Sequence, residues 1–218
     1  MGFERNGKIT VSSYISLTFA FLFLSILFAL HFLKRELDPT WRMISEYEIG
    51  HLGWMMRLAF FCWGASVLAL LIAIWPILLQ VNGAISRWWF SLIVITLFGA
   101  GIFKTDPITS DTHSLVNTIH KICGTIVILT FPIAASLAVS SLLHNNLWSA
   151  YQDIMIFGVG LTWIGMLVYF GTIVISRVKD PKSGEIGGPH ILMGWPNRFN
   201  VVTYLVWIVI MATVASRI

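Results

Sequence analysis

Charge is scarce in this chain, and it is missing altogether where the chain is most apolar. Only 11% of its 218 residues are charged and 57% are hydrophobic, whereas soluble domains carry about 25% charged residues. The long apolar runs also lack the charged outer stripe that a helix of a soluble bundle would show. Together these shortages exclude an ordinary water-soluble domain. Cysteine is nearly absent: Cys62 and Cys123 are the 2 present, both within apolar runs. That rules out a disulfide framework or a thiolate metal site and leaves them as small apolar side chains. No small-residue cleavage pattern follows the first apolar run before Lys34 and Arg35, so the run reads as a retained helix, not a secretion signal. The cores of the runs contain no Asp, Glu, Lys, Arg or His, which removes the intramembrane relay expected of a pump or coupled transporter. With His144 alone on one side, paired haem-binding histidines near both faces are excluded as well.

What is present is six apolar runs, at residues 12–33, 55–80, 84–103, 119–143, 150–176 and 199–216. Each approaches or exceeds the roughly 20 residues needed to cross a hydrocarbon core as a helix. The expected fold class is therefore all-α: a polytopic membrane helix bundle of six transmembrane helices arranged as three hairpins, forming a single domain over residues 1–218. The tails and even-numbered loops hold only Arg5, Lys8, Arg87 and Arg217 of the 14 Lys/Arg; the rest sit in loops 1, 3 and 5 or at their helix ends. This asymmetry predicts that loops 1, 3 and 5 are cytoplasmic and both termini outside, in a plasma (inner) membrane. The net charge of +4 is spread over helix flanks and predicts no nucleic-acid partner; membrane lipids are the expected partners, and a homo-oligomer is compatible with the pattern.

Carboxylates and histidines gather on the same side, which the positive-inside rule does not require. Each of these loops contains Asp-Pro, at Asp38-Pro39, Asp106-Pro107 and Asp180-Pro181, a pairing that predicts an Asp N-cap followed by Pro in the first turn of a short interfacial helix. In loop 1, Arg42 and Glu46 are four apart, as are Tyr47 and His51, so each pair shares one helical face. Arg42 suits a phosphate or carboxylate ligand, with Ser45 and His51 beside it. In loop 3, Asp111, His113 and His120 could ligate a divalent metal, joined by His51 or His190, although no metal-binding spacing specifies one; no cofactor is predicted. Arg198 opens the last run opposite Arg42, next to Trp195 of an interfacial aromatic belt. Loops 1 and 5 also echo each other, Glu48-Ile49-Gly50 then His51 against Glu185-Ile186-Gly187 then His190.

These loops carry a resemblance. Arg42-x-x-Ser45-Glu46 with Gly50 and Trp54, then Gly101-x-Phe103-x-Thr105-Asp106-Pro107, His120, and Gly194-x-x-x-Arg198 together resemble the DUF998 family of six-helix integral membrane proteins. Lys104 and His113 fall outside that pattern. The family is in turn distantly similar to the Frag1/DRAM/Sfk1 group, tied to lipid and GPI-anchor handling. The resemblance implies a fold and brings no established activity.

The expectation is a polar site on one side, where Arg42, Glu46, Asp106, His120 and Arg198 converge on a lipid or other anionic headgroup. In an enzyme, His120 would act as general base, with Asp106 orienting it, Glu46 as a further catalytic carboxylate and the arginines holding negative charge. Two alternatives remain: a non-catalytic assembly or sensor protein whose inner loops clasp the bundle or dock a partner, and a small-molecule transporter. Arg42, Asp106 and Arg198 paired to one another, with no cavity beside them, would favour the clasp.

Overall fold

The computed structural model describes residues 2–110, 114–179 and 191–218. Among these there is no strand. The chain forms α1 (Gly2–Leu33), a 3-10 turn (Ile44–Glu48), α2 (Gly53–Ile74), α3 (Val81–Ile102), α4 (Leu115–Leu142), the single turn α5 (Asn146–Ser149), α6 (Gln152–Lys179) and α7 (Gly194–Arg217). Six of these helices are long and apolar enough to cross a membrane. Several begin earlier than the apolar runs. Arg57, His120, Lys121 and Arg198 thus lie within the second turns of α2, α4 and α7. Neither Asp38 nor Asp106 starts a helix. Asp38 instead closes a turn on the Thr40 N–H at 2.9 Å, and Ser114 caps α4 by accepting from Asn117 N at 3.1 Å.

The long helices lie side by side in chain order, and α7 closes the circuit against α1. Large apolar side chains such as Phe28, Trp88, Ile95 and Leu167 point outward and stay exposed, as lipid-facing residues do. The interior is dominated by aromatics: Phe131 stacks on Tyr204 with ring centroids 4.4 Å apart, and Phe90 stacks on Trp207 at 5.4 Å. Where helices have no hydrophobic drive to associate, small polar groups bind them. Ser16 Oγ donates to Ser66 O at 2.9 Å and Ser66 Oγ donates back to Ser16 O at 2.8 Å, joining α1 to α2. Gly165 lets α6 close on α7, since a Cβ there would lie 2.2 Å from Thr203 Oγ1.

Pro132 sits inside α4 and has no N–H to give the carbonyl of Ile128 four residues back. Tyr204 of α7 supplies that donor, its hydroxyl lying 2.6 Å from Ile128 O. The proline thus turns a lost helical bond into an α4–α7 tie. We expect Tyr204→Phe to cost about 1–3 kcal/mol by orphaning a buried carbonyl, measured as SDS unfolding in mixed micelles. In a Pro132→Ala background the penalty should shrink; an unchanged penalty would refute the coupling.

Candidate functional site

Loops 1 and 3 and the start of α7 meet at one end of the bundle, and two separate polar systems form there. The first is centred on Arg198, only 4% exposed. Its Nε donates to His31 Nε2 at 2.8 Å and its Nη2 to the Tyr47 hydroxyl at 2.9 Å. Nη1 donates to the carbonyls of Arg42 at 2.7 Å, Gly194 at 3.0 Å and Pro39 at 3.2 Å. His31 accepts through Nε2 while its Nδ1 lies 2.7 Å from Leu27 O, so the ring is held as the neutral Nδ1–H tautomer. Gly194 permits the close approach of loop 1: a Cβ there would lie 2.1 Å from Pro39 O. Lys34 adds a second buried cation, donating to the carbonyls of Tyr47 at 3.0 Å and of Ile49. Burial lowers its pKa, opposed by the Glu36 charge. These hydrogen bonds of the two cations go to carbonyls, with the His31 ring and the Tyr47 hydroxyl added for Arg198, and not to carboxylates.

The second system pins loop 3. Glu46, 2% exposed, accepts from Arg42 Nη1 at 2.5 Å, from Met43 N at 3.2 Å and from Ile108 N at 3.0 Å. Glu48 accepts from Thr105 N at 3.1 Å through Oε2, while Oε1 is buried without a hydrogen-bond partner. Burial pushes the Glu48 carboxyl up to about 8, against the opposing pull of the Thr105 N–H and of Arg57 and Lys104. Asn117 Oδ1 accepts from Thr105 Oγ1 and Asp106 N, each at 3.1 Å, and Asp106 Oδ2 accepts from Ser114 N at 2.7 Å. His120 Nδ1 lies 2.7 Å from Phe103 O and 3.2 Å from Ala100 O, and 3.7 Å from Glu48 Oε2. A ring whose Nδ1–H is committed to carbonyls keeps Nε2 as its lone-pair nitrogen.

Beside this network is a cavity of about 600 Å³, within the roughly 300–1,000 Å³ of small-molecule sites. Its depth is apolar, with Phe60, Trp63, Leu97, Val127 and Val201 in the wall. Its polar lining is Ser45, Glu46, Thr105, Asp106, His120, Lys121, Arg177 and Asn197; Glu46, His120 and Asn197 are buried, and the exposed Lys121 and Arg177 mark its mouth.

The residues expected to converge are therefore divided. Ser45, Glu46, Asp106 and His120 line the cavity. Arg42 lies against Glu46 and over the Trp41 ring at 4.1 Å, and Arg198 is committed to its clasp; neither is among the cavity-lining residues. His51 is exposed and away from the cavity. Asp111, His113 and His190, with Asp180 and Glu185, lie outside the described residues. Among the described residues no cluster of three or more metal-ligating side chains occurs. Arg198 bonds the Arg42 carbonyl, Asp106 turns to Ser114 N, and a cavity lies beside them.

Lys121, Arg177, Glu48, Asn117 and the clasp partners His31 and Tyr47 join the site in the structure without a sequence motif that marks them. Lys121 follows His120 directly and Arg177 closes an apolar run, so both stood where a mouth cation would be sought.

The fold and site define a polytopic α-helical membrane protein with an internal, amphiphilic cavity at one end. The sequence model described as "Protein of unknown function (DUF998)" matches residues 19–214, most of the chain, and the chain belongs to that family. No curated protein and no solved structure matches it.

Proposed function

We propose that this protein binds an anionic amphiphile, a membrane lipid with a phosphate-bearing headgroup, in the cavity at the loop 1, 3 and 5 end. The observation that carries this is the cavity's division into an apolar interior and a mouth holding two exposed cations, Lys121 and Arg177. An acyl chain matches the aromatic and aliphatic depth. The headgroup matches the mouth, where the cations meet phosphate, and Ser45, Thr105 and His120 offer hydrogen bonds to its hydroxyls. Glu46 and Asp106 serve chiefly to fix loop 3 in this reading, because their oxygens already accept backbone N–H groups. The excess of Lys/Arg in these loops supports a mouth at the cytoplasmic leaflet.

The test is binding of phosphatidic acid against phosphatidylcholine to purified protein by native mass spectrometry. Replacing both cations, Lys121→Gln with Arg177→Gln, should weaken phosphatidic acid by about 2 kcal/mol, roughly thirtyfold, and leave phosphatidylcholine nearly unchanged. A parent protein with no preference for the anionic lipid would overturn the proposal.

The Arg198 network favours a second role for the same end. A clasp tying α1, loop 1 and α7 together would set the shape of the mouth without touching the ligand.

A further inference from the structure

Resting on that reading, we infer that the ligand reaches the cavity sideways from the bilayer, through the seam between α4 and α6, so that its source is a bilayer-resident lipid and not a soluble phosphate. Of the adjacent long-helix pairs in the circuit, α4 and α6 pack most sparsely. They are joined by one described side-chain bond, Trp163 Nε1 to Ser136 Oγ at 3.0 Å, far from the mouth. Toward the mouth, the seam is bordered by Lys121, Gly124 and Thr125 on α4 and by Phe170, Ile173 and Arg177 on α6, all of which line the cavity.

Three observations place an opening there. Thr125 lines the cavity and is exposed, between the exposed Ile122 and Leu129 of the same helix, so the cavity and the accessible surface of α4 meet at this residue. A Cβ built on Gly124 meets nothing within 4 Å, so the helix surface there is open while Cys123 beside it is buried. The mouth cations Lys121 and Arg177 stand on the two helices that form the seam, one on each side.

Depth decides the source. Thr125 lies four residues beyond Lys121 on α4, which is about 6 Å deeper at 1.5 Å per residue. An opening that runs from the cations to that depth leads from the interface into the upper acyl region. It suits a lipid whose phosphate stays at the interface between Lys121 and Arg177 while one chain slides between the helices. A cavity of about 600 Å³ takes one chain in this way and leaves a second chain in the bilayer.

The experiment compares loading rates, since a doorway governs rate and not affinity. Phosphatidic acid with a diazirine in its acyl chain is mixed into phosphatidylcholine vesicles holding the protein. Photo-crosslinks to the α2 peptide carrying Phe60 and Trp63 are then followed in time. Both residues are buried and out of reach of lipid on the outer surface. A diazirine-bearing octyl phosphate added from water provides the soluble arm. Gly124→Trp fills the seam, and Gly160→Trp, at an exposed α6 glycine with equal room that lines no described cavity, controls for bulk.

We expect Gly124→Trp to slow phosphatidic acid loading about tenfold or more, to change octyl phosphate loading less than about twofold, and Gly160→Trp to match the parent. Unchanged phosphatidic acid loading in Gly124→Trp overturns the lateral route. So does equal slowing of both probes, which makes Gly124 merely part of the cavity. A parent that crosslinks neither probe at α2 overturns the binding reading itself.

Discussion

Replacing Arg198 with leucine is expected to destabilise the protein by about 3–5 kcal/mol, the scale of losing a buried hydrogen-bond network. Two effects oppose each other. Leucine removes a buried guanidinium whose desolvation is expensive, and such replacements can even stabilise when the partners leave with the charge. Here they stay. The carbonyls of Pro39, Arg42 and Gly194, the Tyr47 hydroxyl and His31 Nε2 all lose their donor together, and an orphaned buried group costs about 1–3 kcal/mol each before relaxation. Pro39 and Arg42 are only half-buried, so solvation of their carbonyls holds the total below the sum. Arg198→Lys should recover little, because a single ammonium cannot span His31 on α1 and Tyr47 in loop 1 at once. SDS unfolding in mixed micelles measures both. A leucine variant within about 1 kcal/mol of the parent would show that the clasp adds nothing net.

The clasp also shows which parts of the site could be read from the sequence. Arg42 with Glu46 was legible because a spacing of four is a local rule that survives even in a 3-10 turn followed by its loop. The six spans were legible because lipid demands long apolar runs. Their true starts were not: the runs begin at 119 and 199, whereas α4 starts at Leu115 and α7 at Gly194, in polar turns held by neighbours that hydropathy does not describe. The partners of Arg198 lie 151 to 167 positions away in Tyr47 and His31 and meet it only because α7 closes the circuit against α1. No local pattern encodes that closure. For the same reason the carboxylate beside His120 is Glu48, not Asp106: loop 1 folds under loop 3 through the Thr105 N–H. Asp106 itself turns back to Ser114 at the start of α4.

Glu48 carries the second large expectation, a stability that falls as pH rises. Its carboxyl is raised to about 8 in the folded protein, first by burial and despite the Thr105 N–H and the charges of Arg57 from α2 and Lys104 from loop 3. His120 of α4 faces it as well. In the unfolded chain a glutamate titrates near 4.3. Between those two values the folded state binds the extra proton, so the unfolded state binds fewer and the stability slope with pH is negative. The contribution of this one group is complete below about pH 4 and is lost progressively up to about pH 8, at a limiting slope of about 1.4 kcal/mol per pH unit. The orphaned Oε1 is the physical reason. A neutral carboxyl tolerates a missing partner far better than an ionised one in the same dry place. Glu48→Gln keeps the shape and the acceptor to Thr105 while removing the titration. The measurement is the thermal midpoint in detergent at steps from pH 5 to pH 9, for parent and variant side by side. The difference between them should widen in favour of the glutamine as pH rises, levelling off above about 8. Parallel curves would mean that Glu48 is ionised and compensated throughout.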